Sequence, residues 1–137
     1  MELDKILSIS GKPGLYQLKT QTRAGVLAQS LVDGRKIQVN LRNNISVLSE
    51  ISILTYSGEE SLLDVFKAIY KEAEGEKSID HKSSKKELEN YFRNILPEYD
   101  EDRVYQSDIK KVIQWYNILI ENDFKGFEDE EQTDEEE

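Results

Sequence analysis

His81 is the natural general base of this chain, because an unperturbed imidazole is the side chain that changes charge near neutral pH. It is the one histidine among 137 residues and sits in Asp80-His81-Lys82-Ser83, a polar stretch that nothing marks as a pocket. It is therefore read as a solvated loop residue. With no cysteine there is no thiol nucleophile, disulfide framework, zinc finger or iron–sulfur site. Serine and threonine nucleophiles need a base close in space, which leaves carboxylates as the remaining candidates. No pair among the 28 acidic residues is singled out by spacing, so a carboxylate-based hydrolase is the weaker reading. The chain is expected to be non-enzymatic, with no catalytic, metal or cofactor residues and no small-molecule substrate.

Two short motifs resemble ligand loops and fail on inspection. Gly11-Lys12-Pro13-Gly14 has the residue types of a phosphate cradle but not the P-loop spacing, and a strand rather than a helix follows it. It is read as a turn entering that strand. Glu98, Asp100, Glu101 and Asp102 begin like a calcium loop, with Asp100 and Asp102 at i, i+2. Val104 then stands where a third oxygen ligand is due, and no glycine follows. These carboxylates suit the positive end of the helix dipole ahead of the last helix, with Arg103 paired locally.

Binding is the better prospect, and two residue groups compete for it. Trp115 and Ile118 lie off the main apolar arc of the last helix, about 90° and 150° from its centre at 100° per residue. Either they pack on a second part of the same chain, or they form an apolar patch for a protein partner or a second copy. Lys19, Arg23, Arg35, Lys36 and Arg42, with Tyr16 and Tyr56 as stacking surfaces, would instead give a basic face for nucleic acid or a ribosomal site. A formal net charge of -10 opposes polyanions. That charge is uneven, however: residues 1–57 carry 7 basic and 4 acidic side chains, and residues 58–137 carry 11 and 24.

The elements that must position these residues divide the chain in the same place. Leu15–Thr20, Val26–Val32, Arg35–Leu41 and Ile51–Tyr56 alternate with a period of two and read as strands. Asp33-Gly34 between the second and third predicts a type I′ hairpin turn, and Asn43-Asn44 predicts another turn. Leu3, Ile6 and Leu7 fall at i, i+3 and i+4, compatible with a short opening helix. Beyond Ser57 the period becomes helical. Ser57 and Glu60 form a capping-box pattern before Leu62, Val65, Phe66, Ile69, Tyr70 and Ala73, and Ser84 and Glu87 repeat it before Leu88, Tyr91, Phe92 and Ile95. Glu76–Ser83 reads as a linker or mobile loop, and a third helix spans about Tyr105 to Asn122.

The expected fold class is α+β: residues 1–57 as a small SH3-like antiparallel β-barrel, residues 58–124 as about three helices packed on it, and residues 125–137 as a disordered acidic tail. No apolar run approaches the ~20 residues needed to span a bilayer, and the first residues lack a signal-peptide pattern, so a cytoplasmic protein with no membrane partner is expected. Ile9-Ser10-Gly11-Lys12-Pro13-Gly14-Leu15, Leu31-Val32-Asp33-Gly34-Arg35, Ile51-Ser52-Ile53, Asp108-Ile109-Lys110-Lys111 and Trp115-Tyr116-Asn117 resemble an uncharacterised family of short acidic bacterial proteins, classified as domains of unknown function. The resemblance covers residues 1–124. It implies a bacterial, cytoplasmic protein and supplies no catalytic, metal or cofactor residue.

Overall fold

The computed structural model of the chain describes residues 3–40, 44–124 and 126–127. After a 3-10 turn at Leu3–Lys5 come β1 (Ile6–Ile9), β2 (Lys12–Gln21), β3 (Gly25–Ser30), β4 (Lys36–Asn40) and β5 (Ile45–Val47). A second 3-10 turn, Leu48–Glu50, leads into the hairpin β6 (Ser52–Thr55) and β7 (Gly58–Ser61). Three helices follow: α1 (Leu62–Glu72), α2 (Lys85–Ile95) and α3 (Gln106–Glu121). The α+β class is as expected. No helix among the described residues is long and apolar enough to cross a membrane.

β1 to β5 form one antiparallel sheet in the order β4-β3-β2-β1-β5, a four-strand meander whose fifth strand returns beside the first. No closed barrel is formed among the described residues: β4 and β5 are its two edges. The sheet is apolar on both faces because neighbouring residues of a strand point to opposite sides. Leu7 and Tyr16, paired in register, join Ile9, Val26, Ala28 and Val39 in a cluster made wholly from sheet residues. Their neighbours Ile6 and Leu15 point the other way, into the core shared with the helices. That double burial removes the alternation from Ile6–Ile9, so a strand stands where the apolar spacing suggested a helix.

The β3–β4 connection corrects the expected turn. Gln29 pairs with Lys36, so the loop is longer than two residues. Gly34 donates to Ser30 O (3.0 Å) and adopts φ +80°, while Asp33 has no positive φ, which a type I′ turn would require. The Asp33 carboxylate instead accepts from the Arg35 N–H at 3.0 Å, an interaction that lowers its pKa.

The helical layer begins later than the Ser57–Glu60 pattern suggested. Residues 58–61 pair with 52–55 as β7, and Ser61 is the N-cap of α1, its hydroxyl accepting from the Asp64 N–H at 3.1 Å. For α2 the predicted box is present in both directions, Ser84 with Glu87. The β6–β7 hairpin belongs with the helices: Ile53 is buried in their core, and residues 98–100 extend the hairpin through Tyr56 N–H to Glu98 O and Asp100 N–H to Leu54 O. The core also extends past Phe124. Phe127, assigned to the acidic tail on sequence grounds, is 2% exposed and packs its ring on Phe66, Tyr116 and Phe124, with centroids 5.5, 5.4 and 4.6 Å away. The disorder expected for residues 128–137 lies outside the described residues.

Candidate functional site

α3 is the element that carries the candidate partner-binding residues and borders the clefts described below. Its Val112, Ile113, Tyr116 and Leu119 enter the helical core, and the expected second face is equally used. Trp115 and Ile118 are each 8% exposed. This corrects the reading of a free apolar patch, because α3 covers the sheet with the same residues that were candidates for a partner. Both nevertheless keep an edge on the surface, as walls of clefts that follow α3.

Three clefts lie along this helix and share walls. The largest, about 430 Å³, is bounded by Val32 on the β3–β4 loop, by Lys77, Asp80 and His81 on the α1–α2 connection, and by Gln114, Ile118 and Glu121 of α3. The next, about 300 Å³, lies between the β1–β2 turn at Ser8–Gly14 and Lys111, Gln114 and Trp115. The third, about 230 Å³, runs from Lys111 and Trp115 to Asp108, Val104 and residues 51–54. Gln114 joins the first two, and Lys111 with Trp115 joins the last two. Set end to end along α3 with these walls between them, they make an interrupted groove from Asp108 to Glu121, about 20 Å at 1.5 Å per helical residue.

Hydrogen bonds fix the groove's walls. Asn117 accepts from the Ser78 N–H (2.7 Å) and donates to Ile79 O (3.0 Å), and Tyr116 donates to Glu76 O (2.8 Å). Lys77 pairs with Glu121 at 2.5 Å. The α1–α2 connection is thus fastened to α3 rather than free as a linker would be. Burial, reinforced by nearby Tyr91, Tyr70 and Glu76, raises the Tyr116 pKa and keeps its hydroxyl a donor. At the other wall Asn122 donates to Leu31 O (3.0 Å), holding the β3–β4 loop beside Val32, which is 66% exposed.

His81 is a half-buried wall of the largest cleft, not simply a solvated loop residue. Its Nδ1 lies 3.4 Å from the Asp80 carboxylate. The nearby Ser78 hydroxyl has its one proton within reach of Ile79 O (3.1 Å) and Asn117 Oδ1 (3.0 Å), and no hydrogen bond aligns it with the imidazole as a nucleophile would be. Asp100, in the run that begins like a calcium loop, is also engaged. It is buried and accepts from Arg103 Nε (2.8 Å) and the Asp102 N–H (3.0 Å), the local pairing expected for Arg103.

The basic residues proposed for nucleic acid do not converge. Lys19 is exposed at the bulge between Leu18 and Thr20, and Arg23 is exposed in the β2–β3 turn. Arg35 and Lys36 sit at the far end of β4, about 13 Å away along the ladder at 3.3 Å per residue. Arg35 faces Asp33 at 3.9 Å. Arg42 lies outside the described residues. Tyr16 is buried in the sheet's own cluster and offers no stacking face, while Tyr56 is 61% exposed and its hydroxyl accepts from the Glu101 N–H.

Residues 51–119 match the model of a family described as a domain of unknown function, DUF6852, and residues 3–48 match a second, DUF5606. The chain belongs to this DUF6852 family. A solution NMR structure of a structural-genomics target from Bacteroides vulgatus is 38% identical to it, with 92% of this chain and 91% of that one covered and a TM-score of 0.76. No curated protein matches the chain. The DUF6852 match begins at Ile51, close to where the structure leaves the five-stranded sheet at Val47 and starts the β6–β7 hairpin. The groove therefore draws on both matched segments, since Lys12 and Gly14 come from the first and Lys111 and Trp115 from the second.

Sequence reasoning found Trp115 and Ile118 but missed Lys12, Lys111, Gln114 and His81 as groove walls. The available signal was the α3 stripe Asp108, Lys111, Trp115, Ile118 and Glu121, spaced three or four residues apart between its apolar and polar faces. Lys12 carried no such signal, because only the folded hairpin brings it to α3.

Proposed function

We propose that this is a non-enzymatic protein-interaction module whose α3 groove receives an extended segment of a partner protein. The observation that carries the reading is the succession of three clefts along α3, neighbours sharing Gln114, Lys111 or Trp115 as walls. A 20 Å groove matches about six residues of extended chain at 3.3 Å each. Trp115 and Ile118 offer an apolar floor, and pinned walls reduce the ordering cost of binding. The β4-β3-β2-β1-β5 order is one that small SH3-like barrels use, and we read the sheet as an open member of that architecture, in a cytoplasmic bacterial protein.

Photo-cross-linking in the native host tests the groove directly. A benzophenone side chain in place of Gln114 should give a discrete protein adduct, and the same group in place of Lys86, on the exposed side of α2, should not. Adding Val32→Glu at the rim should remove the adduct while circular dichroism stays unchanged. Equal adducts from both positions, or none from Gln114, would refute the reading.

A further inference from the structure

The middle cleft differs in kind from the rest of the molecule. The chain has 28 acidic and 18 basic residues, yet this cleft, between the β1–β2 turn and α3, has no acidic residue in its wall. It has two lysines, Lys12 and Lys111, and neither makes an ion pair among the described residues. Gln114, Ser8 and Ser10 also line it, and their side chains make no hydrogen bond among the described residues. Trp115 adds a further donor. Among the described residues no fully buried side-chain nitrogen or oxygen lacks a partner, and the Trp115 indole N–H makes no hydrogen bond. That N–H therefore reaches solvent, although the residue is only 8% exposed, and Trp115 borders both this cleft and the third.

From these juxtaposed donors we infer that the middle cleft is an oxyanion pocket, binding a carboxylate or phosphate group. Two lysines supply charge, and indole, amide and hydroxyl groups supply directed donors. Gly14 sets the turn that forms this wall: it is buried at φ +83°, and a Cβ there would stand 3.0 Å from Val32 Cγ2, which lies outside this cleft's lining. The Trp115 and Ile9 surfaces lower the local dielectric and strengthen the attraction relative to open solvent. The pocket itself stands on its own lining. Its assignment to an acidic or phosphorylated residue of a bound segment rests on the groove reading above.

Trp115 is the only tryptophan, so its indole signal reports this wall without labelling. The intact chain should be titrated with inorganic phosphate and, separately, with an acetylated hexapeptide alternating leucine and glutamate. The indole N–H resonance and the emission of Trp115 are followed at constant ionic strength, with sodium chloride as the reference. Saturable shifts are expected, weakened about ten-fold by Lys12→Gln and by Lys111→Gln, the usual scale for losing one charge-assisted bond. Lys86→Gln should leave them unchanged, and all three variants should melt with the native chain. A response to phosphate alone assigns the pocket to phosphoryl groups; a response to the peptide assigns it to carboxylates. Shifts no larger than those from chloride, or native affinity in both groove-lysine variants, would overturn the pocket. Loss of the Gln114 cross-link with a working pocket would overturn the groove reading alone.

Discussion

The sheet buries Leu7, Ile9, Tyr16, Val26, Ala28 and Val39 against one another, with Ile37, Ile45 and Val47 of its edge strands only half covered. The helical side gathers Phe66, Phe92, Tyr99, Tyr116, Phe124 and Phe127 from α1, α2, the α2–α3 connection, α3 and the residues after it, and buries all of them. Both are apolar cores, but one is a small, mostly aliphatic layer with open edges and the other is a large centre rich in aromatic rings. The difference assigns most of the stability to the helical side, since buried area scales with ring size and closure. The sheet is then chiefly a platform that α3 covers.

Paired truncations break or sharpen that contrast most strongly. Phe66→Ala removes a ring that is 0% exposed and touches Tyr116 and Phe127, and should cost about 3–5 kcal/mol in urea denaturation. Val39→Ala, 1% exposed in the sheet cluster, should cost about 2 kcal/mol, because fewer methyl groups are lost and the open edge can relax. Equal losses would show that the sheet core matters as much. Phe127→Ala should cost about 3 kcal/mol by the same measurement. A loss below about 0.5 kcal/mol, the scale of an ordinary surface change, would remove the chain beyond α3 from the core.

Gly25→Ala tests the sheet by close approach. A Cβ there would lie 1.8 Å from Val39 O, so the β3–β4 ladder must shift at its end. The expected cost is about 1–3 kcal/mol. Gly11→Ala is the reference: the same atom would meet nothing within 4 Å, and its φ of +83° leaves a cost of about 1 kcal/mol. A Gly25→Ala cost no larger than that of Gly11→Ala would mean the sheet end yields freely.

The parts legible in the sequence were those whose pattern is local. Ser84 and Glu87 specified the start of α2 because both halves of a capping box lie three residues apart. Ser57-Glu60 placed the start of α1 one turn early, because pairing of residues 58–61 with β6 lies outside that local pattern and moves the cap to Ser61. Ile6–Ile9 lost its strand signature because it is buried on both faces, while Phe127 was hidden by the acidic run that follows it. For the groove, Trp115 and Ile118 stood out on α3. Their cover, the β1–β2 turn, is separated from them by about a hundred residues, and no local spacing predicts that meeting.

The smallest and most selective difference between the two regions is their response to acid. Asp100, on the helical side, is held below the ordinary carboxylate range first by the hydrogen bond from Arg103, then by the Asp102 and Arg103 N–H groups, against opposing burial. Asp33, on the sheet side, is lowered mainly by the Arg35 N–H, but its side chain is 54% exposed against 9% for Asp100. A carboxylate with a depressed folded-state pKa stabilises the fold above its unfolded value of about 3.9, and that contribution disappears as pH falls through the lower folded value. Both aspartates therefore act in the same direction, and exposure decides between them because solvent screens the Asp33 interactions more. Asp100→Asn should flatten the fall in stability below about pH 4 more than Asp33→Asn, measured as urea midpoints across the acid limb. The removed Arg103 contact also lowers stability at neutral pH, so the diagnostic quantity is the slope. A steeper change for Asp33→Asn would place the acid-sensitive element in the β3–β4 loop beside the groove rather than in the segment that joins α2 to α3.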